Sequence, residues 1–137
     1  MPATYYVDHA ARLARFTVVG DLTAEEMVQA IRSAAAEIER PGYHILSDHR
    51  EIGEPATRPQ LDAVVETLQD LGRSFAHSRG AVVVSKPGSY GMMRVLMVLA
   101  ERVPLTVRIF RDFETAEHWA ITGEASLDAL QHEGYLT

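Results

Sequence analysis

Charged and hydroxyl side chains directly follow three apolar segments of the sequence and could together bind an anion. They are Asp48, His49, Arg50, Lys86, Ser89, Arg111 and Asp112. If the apolar segments are parallel strands, these side chains meet at one edge of a sheet, where helix N-termini direct free N–H groups outwards. Lys86 and Arg50 beside such N-termini would favour an anionic group. The alternative interpretation is ordinary loop polarity combined with helix capping.

The segment from residue 90 to 102 could line an apolar site, because charged residues interrupt it at only three positions. An apolar helix packs one side on a sheet and needs a second cover, which can be a neighbouring helix, a partner chain or an apolar ligand. We expect the second and fourth helices to provide most of that cover. In the alternative, Tyr90, Met93 and Met97 form the wall of a ligand groove, since methionine suits a pocket of variable shape.

Catalytic and metal-binding patterns are weak in this sequence. Ser89, His49 and Asp112 could be written as a catalytic triad, but any Ser, His and Asp near one edge of a parallel sheet would allow that. The spacing of a nucleophile elbow is not met around Ser89, and we expect this serine to cap the third helix. The chain has no cysteine, which excludes disulfides and thiol catalysis. Its six histidines show no pair at ligand spacing, so we predict neither a metal nor a cofactor.

The composition predicts a single globular domain over residues 1–137. Apolar residues make up 47% and charged residues 23% of the chain, which is typical of a folded protein. The residues beyond Arg111 include six acidic and no basic side chains, and they account for the net charge of −6. This balance of charges argues against nucleic-acid binding, which requires a basic surface.

The sequence also bears on where the protein is found. The N-terminus lacks the features of a signal peptide. The longest apolar run, residues 95–100, is far below the ~20 residues that cross a bilayer. We therefore predict a cytoplasmic location without membrane insertion.

Hydrophobic periodicity predicts the element order β-β-α-β-α-β-α-β-α. Residues 4–7 and 13–19 are rich in aromatic and β-branched residues and predict a hairpin. Later strands are predicted over residues 44–48 and 81–85 and over Leu105–Phe110. Strands separated by helices run parallel, and their crossovers are right-handed. The fold class is therefore α/β, with a five-stranded mixed sheet in which an antiparallel hairpin precedes the parallel strands.

Four helices are predicted from their capping residues and breakers. Thr23 and Glu26 have the spacing of a capping box at the start of the first helix, which we expect to end at Pro41. The loop over residues 51–59 precedes the second helix. The remaining predictions are a second helix beginning near Pro59, a third over residues 90–102, a fourth capped by Thr115 and a short final helix over residues 126–131.

Four short motifs occur in the order found in a known protein family. They are Gly20-Asp21-Leu22-Thr23, Ile45-Leu46-Ser47-Asp48, Val107-Arg108-Ile109-Phe110-Arg111-Asp112 and Ala116-Glu117-His118-Trp119. With the element order, they resemble the SpoIIAA-like (STAS-type) proteins over residues 4–122. The resemblance implies sequential strand order and a right-handed β-α superhelix, a topology that the lipid-binding lobe of CRAL-TRIO proteins shares.

The resemblance also implies a site at the start of the second helix. In STAS proteins that antagonise anti-sigma factors, an Asp-Ser-Ser-Gly motif opens this helix, and a partner kinase phosphorylates a serine in it. This chain has Pro55-Ala56-Thr57-Arg58-Pro59 at the equivalent place, so the motif is missing and Thr57 is the only hydroxyl on that loop. The sequence is closer to the divergent SpoIIAA-like branch, whose members mostly lack an assigned activity.

Three functions follow as hypotheses. The first is a non-catalytic STAS-like regulatory domain, a homodimer, that presents Glu54, Thr57 and Arg58 to a protein partner. A phosphate on Thr57 would alter that contact by adding charge at a helix N-terminus. The alternative is a carrier for a small apolar ligand or lipid, in which Lys86 or Arg50 meets the carboxylate or phosphate head and a cavity lies between helix and sheet. The third is a hydrolase-type enzyme.

Overall fold

An antiparallel hairpin opens the fold, and its first strand forms one edge of the sheet. We describe the protein from a computed structural model that covers residues 3–124. Strand β1 (Ala3–Asp8) pairs with β2 (Leu13–Gly20). The connection is closed by the Asp8 carboxylate, which accepts a hydrogen bond from the Ala11 N–H at 3.0 Å. The hairpin predicted from the two apolar runs is confirmed.

Helices and parallel strands alternate after the hairpin. The elements are α1 (Ala24–Ala36), β3 (His44–Ile52), α2 (Arg58–Leu71), β4 (Ser78–Val83), α3 (Pro87–Leu99), β5 (Leu105–Phe110) and α4 (Phe113–Thr122), with one 3₁₀ turn (Ala100–Arg102) after α3. The strand order is β1-β2-β3-β4-β5, and β2 to β5 run parallel. The predicted fold class is confirmed, while the predicted final helix over residues 126–131 lies outside the described residues. No helix within residues 3–124 is long and apolar enough to cross a membrane.

Several element boundaries differ from the predictions. Helix α1 ends at Ala36 rather than at Pro41, because the chain turns there to bring Tyr43 into the core. Strand β3 continues to Ile52, since its last two residues pair with the end of β2. Strand β4 begins at Ser78, which pairs with the start of β5. In each case the pairing or packing partner sets the boundary.

Two predicted helix caps are wrong. Helix α3 begins at Pro87 with Lys86 at its N-cap position, and a proline suits the first helical position because that position needs no N–H donor. Ser89 therefore lies within the first turn, where it is only 2% exposed. At α4 the Asp112 carboxylate caps the helix and accepts a hydrogen bond from the Thr115 N–H at 2.8 Å.

The helices cover the two faces of the sheet unequally. Side chains alternate along a strand, so Ile45 packs with α1 and α2 while Leu46 packs with Trp119 of α4 on the opposite face. Helix α3 packs on β5 and beside α2. The expectation that α4 covers the second side of α3 is therefore wrong. Val98 of α3 remains 64% exposed.

Candidate functional site

The β3–α2 loop, residues 53–57, is anchored on two sides. On one side the Glu54 N–H donates to Asp21 Oδ1 at 3.1 Å, which ties the loop to the start of α1. On the other side Lys86 Nζ donates to the last carbonyl of β3 at 2.7 Å and to Gly53 O at 2.6 Å. These bonds join the loop to its neighbours at the carboxyl ends of β2 and β4.

Two glycines allow the loop to lie against these neighbours. A Cβ atom on Gly53 would overlap the Asp21 carboxylate, and a Cβ atom on Gly88 would lie 2.9 Å from Pro55 Cγ. A larger residue at either position would push the loop away from its anchors. The β3–α2 loop therefore enters α2 in one fixed conformation.

Thr57 caps α2 and is exposed to solvent. Its Oγ1 accepts a hydrogen bond from the Gln60 N–H at 3.4 Å, and its own N–H donates to Gln60 Oε1 at 2.8 Å. Both halves of a capping box are thus present, which satisfies two N–H groups of the first turn. Glu54 and Arg58 are exposed on either side of Thr57, and Arg58 Nε donates to Asp62 Oδ1 at 3.1 Å.

The structure pairs Arg50 with Asp48, while Lys86 bonds to backbone carbonyls. Arg50 lies within β3, where Nε and Nη2 donate to the two oxygens of Asp48 at 2.9 and 2.8 Å. Its guanidinium also lies 5.0 Å from the centre of the Phe113 ring, on the α4 face of the sheet. Burial raises the pKa of Asp48, but the hydrogen bonds from Arg50 outweigh this and hold the pKa below its usual value. The Lys86 ammonium is bonded to the two carbonyls described above.

The α3 residues singled out by the sequence have different surroundings. Ser89 is buried, and its Oγ has no hydrogen-bond partner among the described residues. Tyr90 is half-buried, with the Arg111 guanidinium 4.9 Å above its ring centre. Met93 is buried in the core, whereas Met97 is half-buried. Of these side chains, Met93 borders the internal cavity described below.

Two residues of the hypothetical triad, His49 and Asp112, hydrogen-bond to groups outside it, and the third, Ser89, has no hydrogen-bond partner among the described residues. His49 Nε2 lies 2.7 Å from Ser47 Oγ, and both carboxylate bonds of Asp112 go to Thr115. The His49 side chain also lies on the sheet face covered by α1, α2 and α3, whereas Asp112 caps α4 on the opposite face. In the part of the chain that the structure describes, no three His, Asp or Glu side chains converge as a metal site.

A cavity of about 80 Å³ lies between the sheet and helices α1, α2 and α3. Its walls are almost entirely apolar. They include Phe16, Met27, Ile31, Ile45, Leu61, Val64, Leu68, Gly80, Val82, Met93, Leu96 and Val107. The polar exceptions on β3 are Ser47 and His49, which point to the same face as Ile45 because strand side chains alternate.

His49 is the ionisable group that sequence reasoning misplaced. It is 7% exposed, and its Nδ1 has no hydrogen-bond partner among the described residues. Burial lowers the pKa of His49 to about 4, against a smaller opposing effect of the Asp48 charge. The imidazole is therefore neutral near pH 7. The alternation of Ile45, Ser47 and His49 becomes a signal for burial only if the strand continues past Asp48, and pairing with β2 provides that continuation.

The comparisons with known proteins agree on one family. The SpoIIAA-like family profile matches residues 13–120, and no curated protein matches the sequence. An uncharacterised protein with a SpoIIAA-like fold from Shewanella loihica PV-4 is 21% identical, with a TM-score of 0.59 over 86% of this chain and 91% of that chain. An anti-sigma factor antagonist from Mycobacterium paratuberculosis is 19% identical, with a TM-score of 0.57 over 86% of this chain and 93% of that one. Sequential strand order, parallel crossovers and the profile match lead to the same conclusion: the chain belongs to the SpoIIAA-like family.

Proposed function

We propose that this chain is a non-catalytic regulatory domain of the STAS type that binds a protein partner through the start of α2. The surface consists of Glu54, Thr57 and Arg58. The observation that carries the proposal is the anchoring of the β3–α2 loop by Asp21 and Lys86 while these three side chains stay exposed. A loop that is already ordered loses little conformational freedom when a partner binds.

Thr57 is the point at which this surface could be switched. The N-terminus of a helix carries a partial positive charge, so a phosphate there is accommodated without unfolding the helix. The added negative charge would lie between Glu54 and Arg58 and change the electrostatic character of the surface. This supports a phosphorylation-dependent contact even though the Asp-Ser-Ser-Gly motif is missing.

One solved structural neighbour supports the choice of the partner class to test first. One structural neighbour is named an anti-sigma factor antagonist, and a fold by itself does not fix a function. An anti-sigma factor is nevertheless the partner class to test first. The proposal also includes a homodimer, checked by light scattering, and a cytoplasmic location, checked by cell fractionation.

Binding to anti-sigma factors of the source organism tests the proposal. Thr57→Asp retains an N-cap side chain and adds one negative charge, whereas Thr57→Asn retains the cap without the charge. Gln69→Glu adds the same charge at the exposed far end of α2 and serves as the control. We expect Thr57→Asp to change the Kd by about tenfold, the scale of a charge placed in an interface, and the other two variants to change it by less than about twofold.

Two results would count against this function. Absence of binding to every anti-sigma factor would remove the partner class. Equal Kd values for Thr57→Asp, Thr57→Asn and the unmodified chain would remove the switch at Thr57.

The other two hypotheses have less support. A lipid carrier needs a cation for the head group, but the Lys86 ammonium already donates to two carbonyls, and Nε and Nη2 of Arg50 already donate to Asp48. The cavity of about 80 Å³ is also small for an acyl chain, since an apolar cavity of ~150 Å³ holds only benzene. A hydrolase with Ser89 as its nucleophile needs a base beside that serine, and His49 hydrogen-bonds to Ser47 instead.

A further inference from the structure

Strand β1 forms one edge of the sheet, and its outer side lacks the features that usually protect an edge. It pairs with β2 alone, in an unbroken register from Ala3 to Asp8. Native edge strands are commonly protected by charged side chains, a proline or a bulge. Residues 3–7 contain no charged residue and no proline, and their backbone makes no hydrogen bond to the backbone of any described residue outside the hairpin. The outward-facing N–H and C=O groups of β1 can therefore pair with another strand.

Two tyrosines of β1 are exposed on opposite faces of the sheet. Side chains alternate along a strand, so Tyr5 shares the face of α1 with Ala3 and Val7, which belong to the core beneath that helix. Tyr5 is 38% exposed, and Tyr6, on the opposite face, is 64% exposed. A strand added to this edge would cover apolar surface on both faces.

A groove of about 270 Å³ lies beside Tyr5, between β1 and the N-terminal half of α1. Ala3 and Ala30 supply apolar surface to the groove, and polar groups come from α1, among them those of Glu25 and Gln29. An aromatic ring fits this space, since an apolar cavity of ~150 Å³ holds benzene.

The ring of Tyr5 leans away from this groove. Its hydroxyl hydrogen-bonds with Glu37, the residue that follows the last turn of α1. Helix α1 runs in the same direction as β1, because β1 is antiparallel to β2 and α1 connects β2 to the parallel strand β3. Tyr5 therefore leans towards the end of β1, whereas the groove adjoins its start. In an identical strand paired antiparallel with β1, the same tyrosine would lean towards the groove.

We propose that β1 pairs antiparallel with β1 of a second copy of this chain, centred on Tyr5, so that the tyrosine of each copy enters the groove of the other. A two-fold axis perpendicular to the sheet keeps α1 of both copies on one face. Tyr5 then lies opposite the partner's Tyr5, and Thr4 lies opposite the partner's Tyr6. The inference rests on the homodimer in the proposed function and specifies its interface.

A second copy fits this edge because one chain carries both complementary features, the exposed tyrosine and the groove. A two-fold interface requires such self-complementarity. The uncharged residues 3–7 also place no like charges opposite each other on the paired strands. Helix α1 packs on β1 and on α2, so it lies between the edge and the start of α2. The dimer therefore leaves Thr57 accessible to a protein partner.

Sedimentation equilibrium of Tyr5→Lys tests the surface. We expect the dimer Kd to rise at least about tenfold, because two tyrosine rings lose their burial and two like charges meet at the two-fold axis. Val98→Lys is the matched control, since it adds the same charge at an exposed apolar position on α3. It should change the dimer Kd by less than about twofold.

Cysteine pairs test the register, and they keep the inference testable if Tyr5→Lys does not fold. The chain contains no cysteine, so introduced thiols have no background. An oxidised mixture of Thr4→Cys and Tyr6→Cys should give mainly the mixed disulfide, which intact mass identifies. Each variant alone should give little, because copies of one position are offset by two residues, beyond the ~7 Å Cα separation that a disulfide allows.

Three results would overturn the inference. A chain that stays monomeric would leave the edge to a strand of another protein. A dimer that Tyr5→Lys leaves unchanged would use another surface, which is α3 if Val98→Lys weakens it. A mixed disulfide no more abundant than the like-with-like disulfides would show that the strands do not pair in this register. Binding of an anti-sigma factor at Thr57 is measured separately, so either the dimer interface or the partner surface can fail alone.

Discussion

Mild acid should destabilise this domain, and His49 should account for most of the effect. Burial lowers the pKa of His49 to about 4 in the folded chain, whereas an unfolded chain gives histidine its ordinary value of about 6.5. Between these values the unfolded state binds a proton that the folded state does not. The contribution of neutral His49 is thus fully present above pH 6.5 and is lost as the pH falls towards 4.

The size of the effect follows from the two pKa values. They predict a loss of about 2 kcal/mol of unfolding free energy between pH 7.5 and pH 5.0. The pKa values of Asp8, Asp48 and Asp112 are also lowered, and these carboxylates contribute with the same sign. Their ordinary value is about 3.8, so their contributions disappear at a lower pH than that of His49.

Urea unfolding at the two pH values measures this loss. The double variant Ser47→Ala/His49→Leu should lose about 2 kcal/mol less than the unmodified chain. His44, whose pKa is lowered by burial and then by the Arg79 charge, remains in both proteins and therefore cancels in the comparison. Equal losses in the two proteins would refute the conclusion that His49 is buried and neutral.

Three further substitutions test individual contacts, each by urea unfolding at pH 7.5. Gly80→Ala should raise the unfolding free energy by about 1 kcal/mol, because alanine reduces the conformational freedom of the unfolded chain and its methyl group fills part of the cavity without a close contact. A lower unfolding free energy would show that the cavity wall cannot accept a methyl group. Arg79→Met should lower it by about 2 kcal/mol, since the guanidinium donates to the last carbonyls of α4, at 3.1 Å from Trp119 O and 3.0 Å from Ala120 O. Faster amide exchange should then be confined to α4, and an unchanged stability would contradict the capping role. Lys86→Met should cost about 1 kcal/mol by freeing the β3–α2 loop, and unchanged exchange at Gly53 and Glu54 would argue against this anchor.

The sequence could single out the start of α2 as a candidate surface, whereas it could not locate the cavity. The family resemblance pointed to this loop, and Thr57 was singled out as its only hydroxyl; in the structure Thr57 is the exposed N-cap of α2. His49 was assigned to a strand-end loop because the predicted strand stopped at Asp48. Its burial depends on the continuation of β3 to Ile52, which is set by pairing with β2 rather than by local residues.

Lys86 likewise shows that the surroundings of a charged residue cannot be predicted from its neighbours in the sequence. Its position after a strand suggested an anion ligand, and only the fold shows that two backbone carbonyls of a neighbouring loop lie within reach of its ammonium. A sequence pattern indicates which groups can form hydrogen bonds. It does not indicate which groups from distant parts of the chain will be their partners.

The sequence by itself determined the element order and the parallel sheet, because hydrophobic periodicity, capping residues and short connections act over a few residues at a time. The resemblance of four short motifs to a known family added the family. Only the tertiary structure decided which polar side chains are already bonded, which face of the sheet α4 covers, and where a cavity remains. It also decided that the buried Nδ1 of His49 has no hydrogen-bond partner among the described residues. These properties arise from contacts between residues that are distant in sequence. They depend on how closely the helices pack against the sheet, and no local sequence pattern encodes the distance between them.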